Sequence, residues 1–151
     1  MAFFVPFGFL GHIFVKSGRQ VDAGLVGQTN QHKKHVGHFV RQALEMLDYD
    51  VVVFAHPVEA LEHFRTKSYD YDLLITDMGM PRVSGLELAT RAQKIAPGIP
   101  IILMSGNSGE IPSSTLTQAG IRRAITKPVS CRDLSIVVRE VLDMHHTSEE
   151  D

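Results

Sequence analysis

Three side chains with complementary chemistry, Asp77, Ser105 and Lys127, each stand at the end of a short apolar run. A carboxylate can act as a nucleophile and become an aspartyl phosphate. The transferred phosphoryl group spreads its charge over three oxygens, so a hydroxyl and an ammonium group can stabilise it by position and charge. Taken singly, an aspartate or a lysine after a strand is more often a turn or loop residue. The three together favour a phosphoryl-transfer site.

The runs before these residues alternate with segments of helical periodicity. Short apolar runs predict buried strands at residues 51–54, 73–76, 101–104 and 121–126. Apolar spacing and capping signals predict helices over 36–47, from Pro57, from the S-x-x-E box at Ser84, over 113–119, and from about Ser130. Such alternation implies βαβ units and a parallel sheet with helices on both faces. Ligands bind beyond the carboxyl ends of such strands, where the three polar residues would meet.

Composition is that of one ordinary domain: the chain has 151 residues, of which 44% are hydrophobic, and a net charge of −2. This charge gives no sign of non-specific binding to nucleic acid. The single cysteine, Cys131, allows no internal disulfide, as is typical of a reducing compartment. The apolar first 15 residues are too short to span a membrane and lack the leading positive charge of a signal peptide. We therefore expect a cytoplasmic protein without membrane insertion.

Three segments, LLITDMGMPRVSGLELA (73–89), IILMSG (101–106) and ITKPVS (125–130), resemble the receiver domains of two-component response regulators. The likeness covers about residues 34–143. It implies a flavodoxin-like doubly wound parallel α/β sheet with helices on both faces, five-stranded if the N-terminal segment supplies the first strand. The expected organisation is an atypical N-terminal segment (1–30), a receiver domain (31–143) and an acidic tail (144–151).

The resemblance also implies roles for individual residues. Asp77 matches the phosphoacceptor that receives a phosphoryl group from a phosphohistidine. Ser105 matches the switch hydroxyl, and Lys127 matches the lysine that pairs with the phosphoryl group. Asp77 and the backbone carbonyl of Gly79 match Mg²⁺ ligands. Positions with structural roles in the family are Pro81, Gly85 and Pro128, and the peptide bond before this last proline is commonly cis.

The N-terminal part departs from the family pattern. Receivers begin with a strand that ends in two acidic residues, which hold Mg²⁺. Counting back along the first helix puts this pair at Gln31 and His32, so no carboxylate is present there. The preceding residues 25–28 make a poor strand, and residues 12–15 offer a displaced alternative. Without the acidic pair we expect weak Mg²⁺ binding.

Two functions follow from the resemblance. The first is a phosphorylation switch that receives its phosphoryl group from a histidine kinase or phosphotransfer protein and contacts a downstream protein through about residues 106–143. It would be no enzyme beyond autophosphorylation and slow autodephosphorylation. The alternative is a pseudo-receiver that binds partners without phosphorylation, which the missing acids favour. An aspartyl phosphohydrolase would need a second acid where Gly79 stands, so we set that class aside.

Overall fold

The computed structural model describes residues 4–5, 12–17, 35–54, 56–79, 83–106 and 111–149. The strands in these ranges are β1 (Phe4–Val5), β2 (His12–Ser17), β3 (Tyr49–Phe54), β4 (Leu73–Asp77), β5 (Ile101–Ser105), β6 (Ile121–Thr126) and β7 (Val129–Ser130). The helices are α1 (His35–Glu45), α2 (Pro57–Lys67), α3 (Gly85–Ile95), α4 (Ser113–Gln118) and α5 (Cys131–Glu149), with a 3-10 turn over Ser68–Asp70.

The helices and strands expected after residue 35 are present within a few residues of their expected bounds. The largest difference is at the end of α5, which continues to Glu149 and so into the segment 144–151 expected to be a tail. Neither glycine nor proline occurs between Asp143 and Glu149 to end the helix. None of the helices in the described ranges is long and apolar enough to cross a membrane.

The main sheet has five strands in the order β3-β2-β4-β5-β6. β4, β5 and β6 run parallel, whereas β2 runs antiparallel to both of its neighbours, β3 and β4. The flavodoxin-like α/β class is therefore confirmed, and the strand order is that of this fold. The expectation of a wholly parallel sheet is corrected at one strand, because β2 of the N-terminal segment lies between β3 and β4 in the reverse direction.

Two apolar layers cover the sheet, one on each face. Alternation along β2 sends Ile13 and Val15 to one face and Phe14 to the other. The first layer is completed by residues of α1 and α5, namely Val40, Leu44, Leu134, Val138, Val141 and Leu142. The second is completed by residues of α2 and α3, namely Ala60, Leu61, Phe64, Leu88, Ala89 and Ala92. The two layers pack on opposite faces of the sheet and hold its strands in place, so the ends of the strands form a defined edge.

Aromatic contacts hold β2 in the second layer. The ring of Phe14 stacks on that of Phe64 with centroids 5.1 Å apart, and lies 5.0 Å from the ring of Tyr71. The Phe54 ring meets it edge-on at 5.8 Å. Such pairs contribute beyond their buried area. They fix β2 against α2 and β3, and with it the residue at the strand's first position.

Candidate functional site

Asp77 is the last residue of β4 and is almost fully buried. Lys127, which follows β6 and is also buried, donates a hydrogen bond from Nζ to Asp77 Oδ2. The backbone N–H of Gly79 donates to the other oxygen, Oδ1, at 3.0 Å. Both carboxylate oxygens are thus held by protein donors, which fixes the direction in which the carboxylate faces.

Ser105 lies between these two residues at the end of β5 and is also buried. Its carbonyl accepts a hydrogen bond of 2.7 Å from the backbone N–H of Lys127. On the other side, the N–H of Met78 donates to the carbonyl of Met104 at 2.8 Å. The ends of β4, β5 and β6 are thereby tied together, and Asp77, Ser105 and Lys127 lie at one edge of the sheet. The peptide bond between Lys127 and Pro128 is cis.

Gly85 begins α3 directly beneath this edge. A Cβ atom at this position would lie 2.7 Å from the carbonyl oxygen of Asp77 and 2.7 Å from Leu103 Cδ1. The helix start is capped by Ser84, whose Oγ accepts a hydrogen bond of 3.2 Å from the N–H of Glu87. Gly85 is therefore required by close approach of the helix to the strand. Pro81, for which the family resemblance implies a structural role, lies outside the described residues.

The same edge carries, at the first position of β2, a residue that the sequence patterns did not indicate, His12. Because β2 is reversed, its first residue lies at this edge, where it pairs with Thr76, the residue before Asp77. The His12 ring is fully buried, and its Nδ1 is 3.0 Å from Thr76 Oγ1. Its Nε2 has no hydrogen-bond partner among the residues that the structure describes.

His12 stands where the end of the first strand was expected. Counting back from α1 put this position at Gln31 and His32, which lie outside the described residues. Residues 12–15 are predicted only as a displaced first strand, and the direction of a wholly parallel sheet would place Val15 and not His12 at this edge. The apolar residues identify the strand without revealing its direction, so no pattern in the sequence singled out His12.

The environment of His12 keeps its ring neutral. The pKa of His12 is lowered from 6.5 to about 4, mainly by burial and to a smaller extent by the positive charge that His56 can carry. The carboxylate of Asp77 acts in the opposite direction and raises it. Asp77 and His12 are thus electrostatic neighbours, and at neutral pH the imidazole of His12 is uncharged.

The donor set at this edge fits Mg²⁺ poorly. Mg²⁺ prefers an octahedron of oxygen ligands and is usually held by carboxylates and water. Within the described ranges, no three histidine, cysteine, aspartate or glutamate side chains are grouped so that they could hold a metal ion. Where receivers carry an acidic pair, this sheet offers the imidazole of His12.

Comparison with known proteins identifies the family of this chain. The model of the response regulator receiver domain matches residues 31–139. The chemotaxis protein CheY homolog of Campylobacter jejuni is 36% identical over 106 residues, which make up 68% of this chain and 81% of that protein. A CheY-like response regulator receiver domain protein from Methanospirillum hungatei has a TM-score of 0.69 at 29% identity, over 75% of this chain and 89% of that one.

A third relative shares the fold at lower identity. It is the receiver domain of a sensor histidine kinase from Pseudomonas aeruginosa, solved with a magnesium ion coordinated in its active-site cleft. Its TM-score is 0.60 at 21% identity, over 71% of this chain and 88% of that one. The family match begins at residue 31, so β2 lies before it and the four parallel strands lie within it. Over residues 31–139, from before α1 into α5, this chain belongs to the response regulator receiver family.

Proposed function

We propose that this receiver domain is a signalling switch that accepts a phosphoryl group on Asp77. The observation that carries the proposal is the buried pair of Asp77 and Lys127, with Ser105 beside it, at the carboxyl ends of three parallel strands. The carboxylate supplies a nucleophile, and the ammonium and hydroxyl groups supply the charge and the hydrogen bond that a phosphoryl group needs.

The transfer needs one donor and no further reactant. A lone pair of an Asp77 carboxylate oxygen forms a bond to the phosphorus of a phosphohistidine while the phosphorus–nitrogen bond breaks. The bonding pair stays on the imidazole nitrogen of the donor, which takes up one proton from the solvent. The donor is therefore a histidine kinase or a phosphotransfer protein.

Lys127 can follow the charge as it moves. Its ammonium group is a point charge on a flexible stem and can turn from Asp77 Oδ2 to a phosphoryl oxygen. The Ser105 hydroxyl can donate to a second phosphoryl oxygen. Because the Ser105 carbonyl already accepts from the Lys127 N–H, a shift of either residue is transmitted to the end of β6. This coupling is the means by which the site would switch.

The switched surface is the face formed by α4, β6 and α5, within about residues 106–143. It carries an exposed ion pair between Arg123 and Glu140, which joins β6 to α5 at 2.6 Å, and the exposed side chain of Ile136 beside it. A downstream protein would bind here. The protein acts in the cytoplasm as a switch, without turnover beyond autophosphorylation and slow loss of its own phosphoryl group.

The role of Mg²⁺ differs from that in the Pseudomonas receiver, whose cleft holds this ion. Here Asp77 and the carbonyl of Gly79 are the groups that would bind it, with water in the remaining positions. Since the acidic pair is replaced by His12, we expect weak Mg²⁺ binding. When bound, the ion would supply positive charge to the phosphoryl oxygens.

The second candidate function is that of a pseudo-receiver, which binds its partner in one state only. One observation favours it: both oxygens of Asp77 are already hydrogen-bonded, to Lys127 and Gly79. Such a domain would keep the fold and the partner face and would not take up a phosphoryl group.

Incubation with the small phosphodonor phosphoramidate separates the two candidates. The intact mass of the protein is measured before and after, together with Asp77→Asn and the matched control Asp70→Asn, an exposed aspartate remote from the edge. The switch predicts an adduct of one phosphoryl group in the wild type and in the control, and none in Asp77→Asn. An adduct that persists in Asp77→Asn, or no adduct in folded wild-type protein at high Mg²⁺, would exclude the switch.

A further inference from the structure

The unpartnered nitrogen of His12 is the feature of this edge that the proposed function leaves unused. A buried polar atom normally has a hydrogen-bond partner, and each exception calls for an explanation. His12 is fully buried, its Nδ1 is engaged with Thr76 Oγ1, and its Nε2 contacts no partner in the described part of the chain. A group that binds at Nε2 would break no existing hydrogen bond.

The hydroxyl of Thr76 sets the chemistry of this nitrogen. A neutral imidazole has one N–H donor and one acceptor nitrogen. When the Thr76 hydroxyl donates to Nδ1, the ring proton lies on Nε2, and the free nitrogen is a hydrogen-bond donor. A donor in a buried site attracts the oxygens of an anion, whereas the carboxylates of other receivers attract a cation.

The position of His12 makes a phosphoryl group on Asp77 the natural anion. β4 ends at Asp77, so a group attached to its carboxylate lies beyond the last pair of the ladder, in the crevice at the carboxyl ends. His12 forms that last described pair with Thr76, one residue earlier. The effect of the Asp77 carboxylate on the pKa of His12 agrees with their proximity.

The charges at this edge also favour a dianionic phosphoryl group. With two acids at this edge, an incoming dianionic phosphoryl group would be repelled until a cation neutralised them. Here β2 contributes the uncharged ring of His12, and Lys127 contributes a buried positive charge. The phosphoryl group therefore meets a cation, a hydroxyl and an N–H donor.

We propose that His12 donates from Nε2 to a phosphoryl oxygen, so that this site binds a dianionic phosphoryl group without a divalent cation. This inference rests on the proposed function, because the anion it binds is the group carried by Asp77. His12 replaces a metal-binding acid with a hydrogen-bond donor, and the cation requirement of phosphorylation is lost.

The test compares phosphorylation by phosphoramidate in EDTA and in Mg²⁺ for four proteins. They are the wild type, His12→Phe, which removes both nitrogens, His12→Gln, which keeps an N–H donor, and the control His63→Gln, a histidine in α2 away from the edge. We expect the wild type and the control to react at similar rates in both solutions. His12→Phe should be about tenfold slower or more in EDTA, and His12→Gln should recover part of the rate.

A second measurement does not depend on phosphorylation. Inorganic phosphate is titrated in EDTA, and the ring nitrogens of His12 are observed by NMR. The expected result is a saturable change in the Nε2 chemical shift as inorganic phosphate is added. Protein that already carries a phosphoryl group on Asp77 should no longer show this response to phosphate. If the Phe variant fails to fold, this titration on the wild type and the rate of the Gln variant still decide the question.

The outcomes are distinct. A phosphorylation rate that requires Mg²⁺ in the wild type and has the same value in His12→Phe overturns the inference. Broadening of the Nε2 signal by one equivalent of Mn²⁺ also overturns it, because His12 would then be a metal ligand. A phosphate shift at Nε2 without any phosphorylation of Asp77 would retain this inference as an anion site and reject the proposed function. Neither shift nor phosphorylation would reject both.

Discussion

Gly85 and Asp77 are in such close contact that a single methyl group on Gly85 would overlap the backbone of Asp77. The Cβ of an alanine would lie 2.7 Å from the Asp77 carbonyl oxygen and 3.0 Å from its carbonyl carbon. The start of α3 is thus packed directly against the residue that carries the chemistry. Movement of one requires movement of the other.

Replacing Gly85 by alanine should therefore damage both stability and phosphorylation. Overpacking of this kind costs about 1–3 kcal/mol. Urea unfolding should show this loss, and the rate of Asp77 phosphorylation should fall with it. The matched control is Gly106→Ala, because in the described part of the chain no atom lies within 4 Å of its Cβ position. Equal stability of the two variants would contradict the contact.

The buried pair of Lys127 and Asp77 should show strong coupling. Lys127→Met leaves the Asp77 carboxylate buried without its ammonium partner, which typically costs about 3–5 kcal/mol. Combining Lys127→Met with Asp77→Asn removes the uncompensated charge, so the double variant should be more stable than Lys127→Met alone. Unfolding by urea of the two single variants and the double variant measures the coupling. Additive losses would mean that the two side chains do not stabilise each other in the folded state.

The reversed direction of β2 can be tested by a disulfide. In the antiparallel register Lys16 lies opposite Asp50, and directly opposed residues have Cβ atoms close enough for a disulfide. With Cys131 replaced by serine, the pair Lys16→Cys and Asp50→Cys should oxidise readily in the folded protein. The control pair Lys16→Cys and Phe54→Cys is displaced by about 13 Å along β3 and should not. Preferential oxidation of the control pair would place β2 in the opposite direction.

Acid should destabilise the protein through His12. Its folded pKa of about 4 lies below the ordinary value of 6.5, so between these values the unfolded chain binds the proton and the folded chain does not. Stability contributed by the neutral ring is complete above pH 6.5 and is lost as pH falls toward 4, by about 3 kcal/mol in all. The free energy of unfolding of the wild type should therefore fall more steeply over this range than that of His12→Gln.

The comparison with His12→Gln isolates this group, since every other titrating side chain is common to both proteins. Parallel pH profiles of the two proteins would show that His12 has an ordinary pKa and is solvated. That result would also remove the buried nitrogen on which the phosphoryl contact depends.

Much of the fold followed from local patterns. The apolar runs before Asp77, Ser105 and Lys127 predict three parallel strands. Because the carboxyl ends of parallel strands lie at one edge of the sheet, the sequence also predicts that these three residues lie close together. The S-x-x-E box at Ser84 located the start of α3 to the residue. These predictions succeeded because each depends on neighbours in sequence or on the direction common to parallel strands.

The direction of β2 could not be predicted from such local patterns. An apolar run such as Ile13–Val15 alternates between two faces equally well in either direction, so periodicity cannot orient it. Orientation is decided by long-range packing, including the contacts of Phe14 with Phe64 and Tyr71. Counting back from α1 places the expected acidic pair at Gln31 and His32, which lie outside the described residues, and does not indicate His12. His12, the residue that most distinguishes this site, thus belongs to no motif that the sequence shows.

Whether Asp77 carries the phosphoryl group is decided by locating the acyl phosphate along the chain. After reaction with phosphoramidate, borohydride reduction converts a phosphorylated aspartate to homoserine, which peptide mass spectrometry assigns to a position. We expect homoserine at position 77 and at no other aspartate. Homoserine elsewhere, or unmodified Asp77 in folded protein after prolonged reaction with and without Mg²⁺, would contradict it.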